Sequence, residues 1–191
     1  MDRDNVIIDT LTECIKEARS MRGLSNTELA ERSGIHARTI RKIEAGDTNP
    51  SFRVLYPLVH VLCPSFDYSF YGAYYKRGYS PGKAASKSLT CSPYDIYLDC
   101  DLLSVGDALQ AVRTLKSMTR LRLSVISDIS IRSIARIERQ GTSPSFTELY
   151  SLVQALDISF DYLFRYKLPG KKYFKSIEHF VAHMVMGSAL S

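Results

Sequence analysis

The first feature of the sequence that could bind a ligand is a stretch rich in basic side chains. Between residues 113 and 139, seven Lys or Arg residues accompany only two acidic residues, Asp128 and Glu138. Ammonium and guanidinium groups in such a stretch can face the phosphates of a nucleic acid. The same charges are compatible with a helix face exposed to solvent, and charge alone does not choose between these interpretations. The whole chain of 191 residues has a formal net charge of +5.

No pattern of residues indicates catalysis or a metal site. The four cysteines form no Cys-x-x-Cys pair, so neither a zinc ribbon nor a thioredoxin-type site is expected. His179 and His183 are four residues apart, but two ligands without a third close by indicate a solvated helix face rather than a metal site. The sequence has no Gly-rich phosphate loop, His-Glu-x-x-His motif or nucleophile elbow. We therefore predict a protein that is not an enzyme and needs no metal or cofactor.

The termini and the apolar runs of the sequence bear on where the protein works. The N-terminal residues 1–4 have neither the basic start nor the apolar stretch of a secretory signal. The longest apolar run, near residues 56–63, is far shorter than the roughly 18 residues of a membrane span. We predict a cytoplasmic protein with no membrane partner.

The sequence contains an internal repeat. Residues 40–70 read IRKIEAGDTNPSFRVLYPLVHVLCPSFDYSF, and residues 134–164 read IARIERQGTSPSFTELYSLVQALDISFDYLF. At a constant offset of 94 positions, 17 of these 31 residues are identical without a gap. The same register continues upstream, where Arg19 aligns with Arg113 and Leu29 with Leu123. The chain therefore consists of two homologous units of about 60 residues.

Each repeat has the periodicity and the capping residues of five short helices. In the first repeat, helix one is predicted from an apolar stripe at helical spacing. The segment Ser25-Asn26-Thr27-Glu28 has the form of a capping box at the start of helix two, which ends near Gly34. Helix three is expected from about residue 36, with His36 as its cap, and helices four and five from residues 51 and 65. Five short helices predict a compact all-α domain.

The second repeat keeps this plan with three changes in its local signals. Its helix four begins with a capping box of its own, Ser145 with Glu148. Its helix two begins at Thr119 without an acidic partner. Asp128 stands where Gly34 closes helix two of the first repeat, and Asp adopts the left-handed conformation less readily than Gly. Both repeats are nevertheless predicted to be all-α.

Four short motifs of the first repeat follow one another at a characteristic spacing: GLSNTELA at 23–30, GI at 34–35, TIRKIEAG at 39–46 and PS at 50–51. In this order they resemble the XRE family, the Cro and phage-repressor type of helix-turn-helix domain. The resemblance covers about residues 8–72 and, more loosely, 104–165. The second repeat keeps Ile137-Glu138 and Pro144-Ser145-Phe146 but lacks the turn Gly. The resemblance implies two tandem five-helix, lambda-repressor-like domains.

The resemblance also implies where the DNA would lie. In this type of domain, helix three enters the major groove and its N-terminal side chains meet base edges, while the N-terminus of helix two faces a phosphate. Base contacts are then expected from Ala37, Arg38 and Lys42, and contacts to phosphate or neighbouring bases from Asn26, Thr39 and Arg41. Arg38 is the expected sequence reader, because an Arg fork on guanine is worth about 1–3 kcal/mol of discrimination.

The second repeat offers different side chains at the corresponding positions. Arg132, Ser133 and Arg136 are expected to contact DNA if this repeat reads DNA. Ile131 occupies the position of Ala37, and an exposed Ile on a reading helix needs an explanation. It either packs on a thymine methyl group or belongs to a surface that binds protein, and the sequence leaves both open.

Two pairs of opposite charges are expected to be structural. In the family, an Arg of helix one and a Glu of helix three form an ion pair. Both copies retain both partners, Arg19 with Glu44 and Arg113 with Glu138. Loss of one partner would leave an unpaired, partly buried charge, which costs several kcal/mol.

The domain boundaries follow from the repeat: a first helix-turn-helix domain at 1–72, a basic, Tyr-containing linker at 73–103, a second domain at 104–166 and a basic tail at 167–191. Tyrosines mixed with basic residues can stack on single-stranded nucleic acid, but here we expect the tyrosines to pack at a helix end and the basic linker that follows them to lie near the DNA backbone. A flexible linker of about 30 residues spans on the order of 30 Å, close to the about 34 Å between half-sites one DNA turn apart. One chain is thus expected to reach both.

The tail contains an apolar stripe that predicts an amphipathic C-terminal helix: Phe174, Ile177, Phe180, Val181 and Met184. This helix either packs on the second repeat or pairs two chains into a homodimer.

Taken together, the sequence predicts a sequence-specific, double-stranded DNA-binding transcription regulator, and the family resemblance favours a repressor. The alternative is a protein-interaction module, such as an antitoxin-type regulator, in which the second repeat binds a protein partner.

Overall fold

The computed structural model describes residues 3–62, 66–76, 104–158 and 160–165. The first repeat contains the helices α1 Arg3–Met21, α2 Asn26–Ser33, α3 Ala37–Ala45, α4 Phe52–Leu62 and α5 Phe66–Lys76. The second contains α6 Ser104–Leu115, α7 Arg120–Ser127, α8 Ile131–Gln140, α9 Phe146–Leu156 and α10 Phe160–Arg165. The predicted all-α class is confirmed over these residues, whose only β-type pairing is an isolated bridge between Ser51 and Ser145.

Several predicted segments lie wholly or mostly outside the described residues. These are the C-terminal helix, with His179 and His183, and the linker beyond residue 76. Helix α5 continues to Lys76, four residues past the boundary expected at 72. Among the helices that the structure describes, none has the length and apolar character needed to cross a membrane.

Helix α2 is fixed at both ends by the residues that the sequence indicated. The Ser25 hydroxyl accepts a hydrogen bond from the Glu28 backbone N–H (3.2 Å), and the Glu28 carboxylate accepts one from the Ser25 N–H (2.7 Å). The bond to the Ser25 backbone, followed by that to its side chain, lowers the pKa of Glu28. This contribution to stability is present above the ordinary pKa of Glu and is lost as the pH falls through the lowered value. Gly34 closes the helix in the left-handed conformation, at φ 69°.

The equivalent helix of the second repeat ends in the same way with a different residue. The Thr119 hydroxyl accepts a hydrogen bond from the Arg122 N–H (3.1 Å) at the start of α7. Asp128 ends α7 at φ 59°, in the left-handed region that Gly34 occupies in the first repeat. The substitution of Asp for Gly therefore preserves the turn between the two helices. Helix α9 has the predicted capping box of Ser145 and Glu148.

The contact between helices one and three differs between the repeats at one position. In the first repeat, the Thr12 hydroxyl donates a hydrogen bond to the Ile43 carbonyl of α3 (2.8 Å). Its counterpart is Gly106, and a Cβ there would collide with the carbonyl oxygen of Ile137 on α8. Helices α6 and α8 thus approach so closely that only a Gly fits at this point.

The two repeats share one hydrophobic core, a feature that the sequence did not indicate. At its centre lie aromatic side chains of both repeats, all buried: Phe52, Phe66, Phe70, Tyr71, Phe146, Tyr150 and Phe160. The ring of Phe66 lies 5.4 Å from that of Phe160, and Phe70 lies 5.3 Å from Phe146, both in edge-to-face geometry. The picture of two separate domains whose spacing is set by a flexible linker is therefore wrong, because the repeats pack directly against each other.

Candidate nucleic-acid interface

The third helix of the first repeat has one buried and one basic face. Ile40 and Ile43 are buried in the core, with at most 1% of their surface exposed. Arg38, Arg41 and Lys42 are exposed. Helix α3 is thus held by its apolar side and presents three cations to the outside. The other two predicted contacts on this helix, Ala37 and Thr39, are partly exposed.

Helix α3 begins after His36, the expected N-cap residue, but without a side-chain capping hydrogen bond. The helix still starts here because its first turn is closed through the His36 carbonyl, which accepts a hydrogen bond from the Thr39 N–H (2.8 Å). His36 thus occupies the expected N-cap position, but its side chain does not bond to the helix start in the way that Ser25 bonds to the start of α2.

Asn26 lies in the first turn of α2, where the resemblance places a phosphate contact. Its side-chain oxygen is shielded from solvent and has no hydrogen-bond partner among the described residues. A buried polar atom without a partner is costly and calls for an explanation. The Oδ1 atom can only accept a hydrogen bond, so a contact to a phosphate, which also accepts, requires the Nδ2 group of the same amide.

An ion pair fixes the position of α3 relative to α1 and to the start of α2. The Arg19 guanidinium donates two hydrogen bonds to the Glu44 carboxylate, at 2.6 and 3.1 Å. A third goes to the carbonyl of Leu24, just before α2 (2.6 Å). The hydrogen bond to Glu44 raises the pKa of Arg19, so the guanidinium stays charged. One side chain thereby ties three elements of the motif together.

The second repeat contains the equivalent pair and an additional basic partner. The Arg113 guanidinium donates to both oxygens of the Glu138 carboxylate (2.6 and 3.0 Å) and to the carbonyl of Met118 (2.8 Å). Arg120 also donates to Glu138, at 2.7 Å. The role of Arg120 was not predicted from the sequence. The signal that could have indicated it is the alignment of the repeats, in which Arg120 replaces the uncharged Asn26.

These contacts divide the basic cluster between residues 113 and 139. Arg113 is buried and Arg120 is partly buried, and both are engaged with Glu138. The other five basic side chains are exposed: Lys116, Arg122, Arg132, Arg136 and Arg139. Arg113, already expected to pair with Glu138, and Arg120 therefore belong to neither of the two interpretations left open for this cluster, while the five exposed side chains remain compatible with both.

Helix α8 presents Arg132 and Arg136 at the positions that correspond to Arg38 and Lys42. Its start is capped by Ser130, whose hydroxyl accepts a hydrogen bond from the Ser133 N–H (3.0 Å) and donates one to the Ser133 hydroxyl (3.0 Å). Ser133 is thus engaged in the cap. Ile131, the first residue of the helix, is 44% exposed.

Helix α7 has an exposed apolar surface that its counterpart lacks. Leu121, Val125 and Ile126 are 62%, 76% and 51% exposed. We call these three residues the α7 apolar surface. The equivalent residues of α2 are Thr27, Glu31 and Arg32. The two repeats thus share a scaffold while their exposed surfaces have diverged.

Comparison with known families assigns the chain. The helix-turn-helix family model matches residues 15–62 and again residues 109–163, together more than half of the chain. The protein therefore belongs to the XRE-type helix-turn-helix family and has two tandem copies of the domain. This is a family of DNA-binding transcription regulators, not of enzymes. No curated protein and no solved structure matches the chain.

Proposed function

We propose that the first repeat reads double-stranded DNA by placing α3 in the major groove. The observation that carries this proposal is the basic face of α3, where Arg38, Arg41 and Lys42 are exposed opposite buried Ile40 and Ile43. Arg38 lies in the first turn, the part of such a helix that meets base edges. Its guanidinium can donate two parallel hydrogen bonds to guanine.

The other predicted side chains fit positioning contacts. The Asn26 amide lies beside the N-terminus of α2, where backbone N–H groups and the helix dipole favour a phosphate. Thr39 and Arg41 lie on either side of the core residue Ile40, at positions from which they can contact the DNA backbone. Ala37 is small, so its contribution is limited to contact with a thymine methyl group. Such contacts set the register of the domain on the duplex, and base contacts set its specificity.

We further propose that the protein is a repressor that acts in the cytoplasm without a cofactor. The resemblance to the Cro and phage-repressor type supports repression over activation. Control would then come from a protein partner, from the abundance of the protein or from the tail at 167–191.

Substitution of Arg38 by Ala tests the assignment of the reading helix. On a duplex selected by the wild-type protein, we expect the affinity to fall about 10- to 100-fold, the effect of losing one bidentate guanine contact. Lys16→Ala, which removes an exposed charge from α1, is the matched control and should leave the affinity nearly unchanged. Fluorescence anisotropy at one fixed salt concentration measures both. Equal affinities for the two variants would contradict the role of Arg38.

The α7 apolar surface favours a second candidate function, in which the second repeat binds a partner protein. Leu121 and Val125 are one helical turn apart and face the same side. Arg122, an exposed basic residue of the same helix, favours a partner that has an acidic residue beside its apolar contact. Binding through α7 would leave α8 available for DNA.

The first repeat provides the variant that tests this candidate. Leu121→Thr, Val125→Glu and Ile126→Arg together give α7 the surface of α2 without a change in its buried residues. We expect the wild-type protein to co-purify with a partner that the triple variant loses, while both bind the selected duplex equally. A partner retained by the triple variant would exclude this surface.

A further inference from the structure

The contact between the two repeats has the form of a two-fold symmetric dimer interface within one chain. The Phe52 N–H donates to the Pro144 carbonyl and the Phe146 N–H to the Pro50 carbonyl, both at 2.8 Å. The two bonds join equivalent positions, since Phe146 and Pro144 lie 94 residues after Phe52 and Pro50. The isolated bridge between Ser51 and Ser145, which are also equivalent positions, lies between them. A local two-fold axis therefore passes through this point.

A second reciprocal set lies in the buried core. The Asp161 carboxylate accepts a hydrogen bond from the Phe66 N–H of α5 (2.6 Å), and the Asp67 carboxylate accepts one from the Phe160 N–H of α10 (3.0 Å). Both carboxylates are buried. Each repeat thus supplies an acceptor to the start of the other repeat's fifth helix. Asp67 and Asp161 are equivalent positions, as are Phe66 and Phe160, so the same axis relates this set.

The edge of the contact follows the same symmetry with different chemistry. The Asn49 amide donates to the Thr147 hydroxyl (2.8 Å). The symmetry-equivalent positions are Ser143 and Arg53, and here the Arg53 N–H donates to the Ser143 hydroxyl (2.9 Å). An interface in which position i contacts j and j contacts i is isologous, the type that pairs identical subunits in two-fold dimers. Here both halves of that interface come from one chain.

We infer that a single chain acts as its own dimer and that one copy occupies a bipartite DNA site with two related but unlike half-sites. Helix α3 reads one half-site and α8 reads the other. This inference rests on the proposed function. Two-fold related reading helices match the two-fold symmetry of paired half-sites on a duplex. On the first repeat, the isologous surface described above is filled by the chain's own second repeat.

The exposed residues of α3 and α8 indicate how the two half-sites differ. Arg38 and Arg132 are equivalent and exposed, so each half-site should present a guanine to an Arg. Ala37 in α3 is replaced by Ile131 in α8, whose exposed side chain is suited to a thymine methyl group. The two halves are thus expected to share one base preference and to differ at a neighbouring base pair.

Selection from a random duplex pool with the full chain, followed by native mass spectrometry of the complex, tests the inference. We expect a motif of two unlike halves about 10 base pairs apart, bound by one chain per duplex. Arg38→Ala should abolish the enrichment of one half-site, and Arg132→Ala should abolish that of the other. Ile131→Ala, which gives α8 the residue of α3, should make the two halves more alike. All three residues are at least partly exposed, and thermal unfolding should show that the variants remain folded.

Two results would overturn the inference and leave the proposed function intact. One is a palindromic motif bound by two chains, and the other is a single half-site that Arg132→Ala does not alter. The absence of any enriched motif would overturn both.

Discussion

Replacement of Glu138 by Ala is expected to lower the free energy of unfolding by about 3–5 kcal/mol, because two basic side chains lose their shared partner. The Glu138 side chain is only 1% exposed and accepts hydrogen bonds from both Arg113 and Arg120. Its removal leaves the buried Arg113 guanidinium with the Met118 carbonyl as its remaining acceptor in this network. Urea unfolding followed by circular dichroism measures the change.

The first repeat supplies the matched control for this prediction. Glu44→Ala removes the equivalent carboxylate, but among the described residues Arg19 is its only basic partner, and both side chains are more exposed than their counterparts. We expect a smaller loss than for Glu138→Ala. Equal losses, or a larger loss for Glu44→Ala, would contradict the prediction that Arg120 and the deeper burial of Glu138 make this pair the more important one.

Replacement of Phe160 by Ala is expected to lower the free energy of unfolding by about 3–5 kcal/mol, the usual cost of truncating a buried aromatic side chain. Phe160 is fully buried against Phe66 and Phe70 of the first repeat and Phe146 of its own. Because this core is common to both repeats, a cavity at residue 160 should destabilise both. Phe160→Leu, which retains most of the volume, should lose less.

Cooperativity distinguishes a shared core from two independent ones. Amide hydrogen exchange should show the protection of buried α2 and α3 amides falling together with that of α8 and α9 in the Phe160→Ala protein. Reduced protection confined to the second repeat would contradict the shared core. This result would also remove the basis for treating the chain as its own dimer.

Local signals in the sequence were sufficient to predict the elements of each repeat. The capping box at Ser25 and the turn at Gly34 depend on hydrogen bonds and backbone angles within a few residues, so the residue types indicate them directly. Asp128 shows the limit of such rules, since it adopts the left-handed conformation that favours Gly. The lack of a side-chain bond from His36 is a second case, in which a backbone turn closes the helix start instead.

The contact between the repeats could not be predicted in the same way. The spacing of Phe66, Phe70 and Phe160 is that of core residues, but apolar periodicity does not indicate which helix packs against them. Asp67 and Asp161 lie in identical SFDY segments and suggest local helix starts, whereas their carboxylates in fact accept hydrogen bonds from the opposite repeat. The expected reach of the linker holds only for domains that do not touch, and the length of a linker does not indicate whether the segments that it joins pack together.

The basic residues illustrate a similar limit in the candidate site. The number of charges between residues 113 and 139 does not indicate which side chains are exposed. Arg113 and Arg120 form ion pairs with Glu138, whereas Arg132 and Arg136 are exposed. Alignment of the two repeats was the more informative signal. It places Arg120 opposite Asn26 and the α7 apolar surface opposite polar residues, and so locates where the repeats have diverged.

Enrichment of DNA from a random duplex pool by the wild-type protein is the most direct test of the central claim that this chain reads double-stranded DNA. At moderate salt we predict a reproducible motif, bound with an affinity that decreases linearly with the logarithm of the salt concentration as phosphate contacts are lost. A pool that remains random after repeated selection by the folded protein would contradict the account.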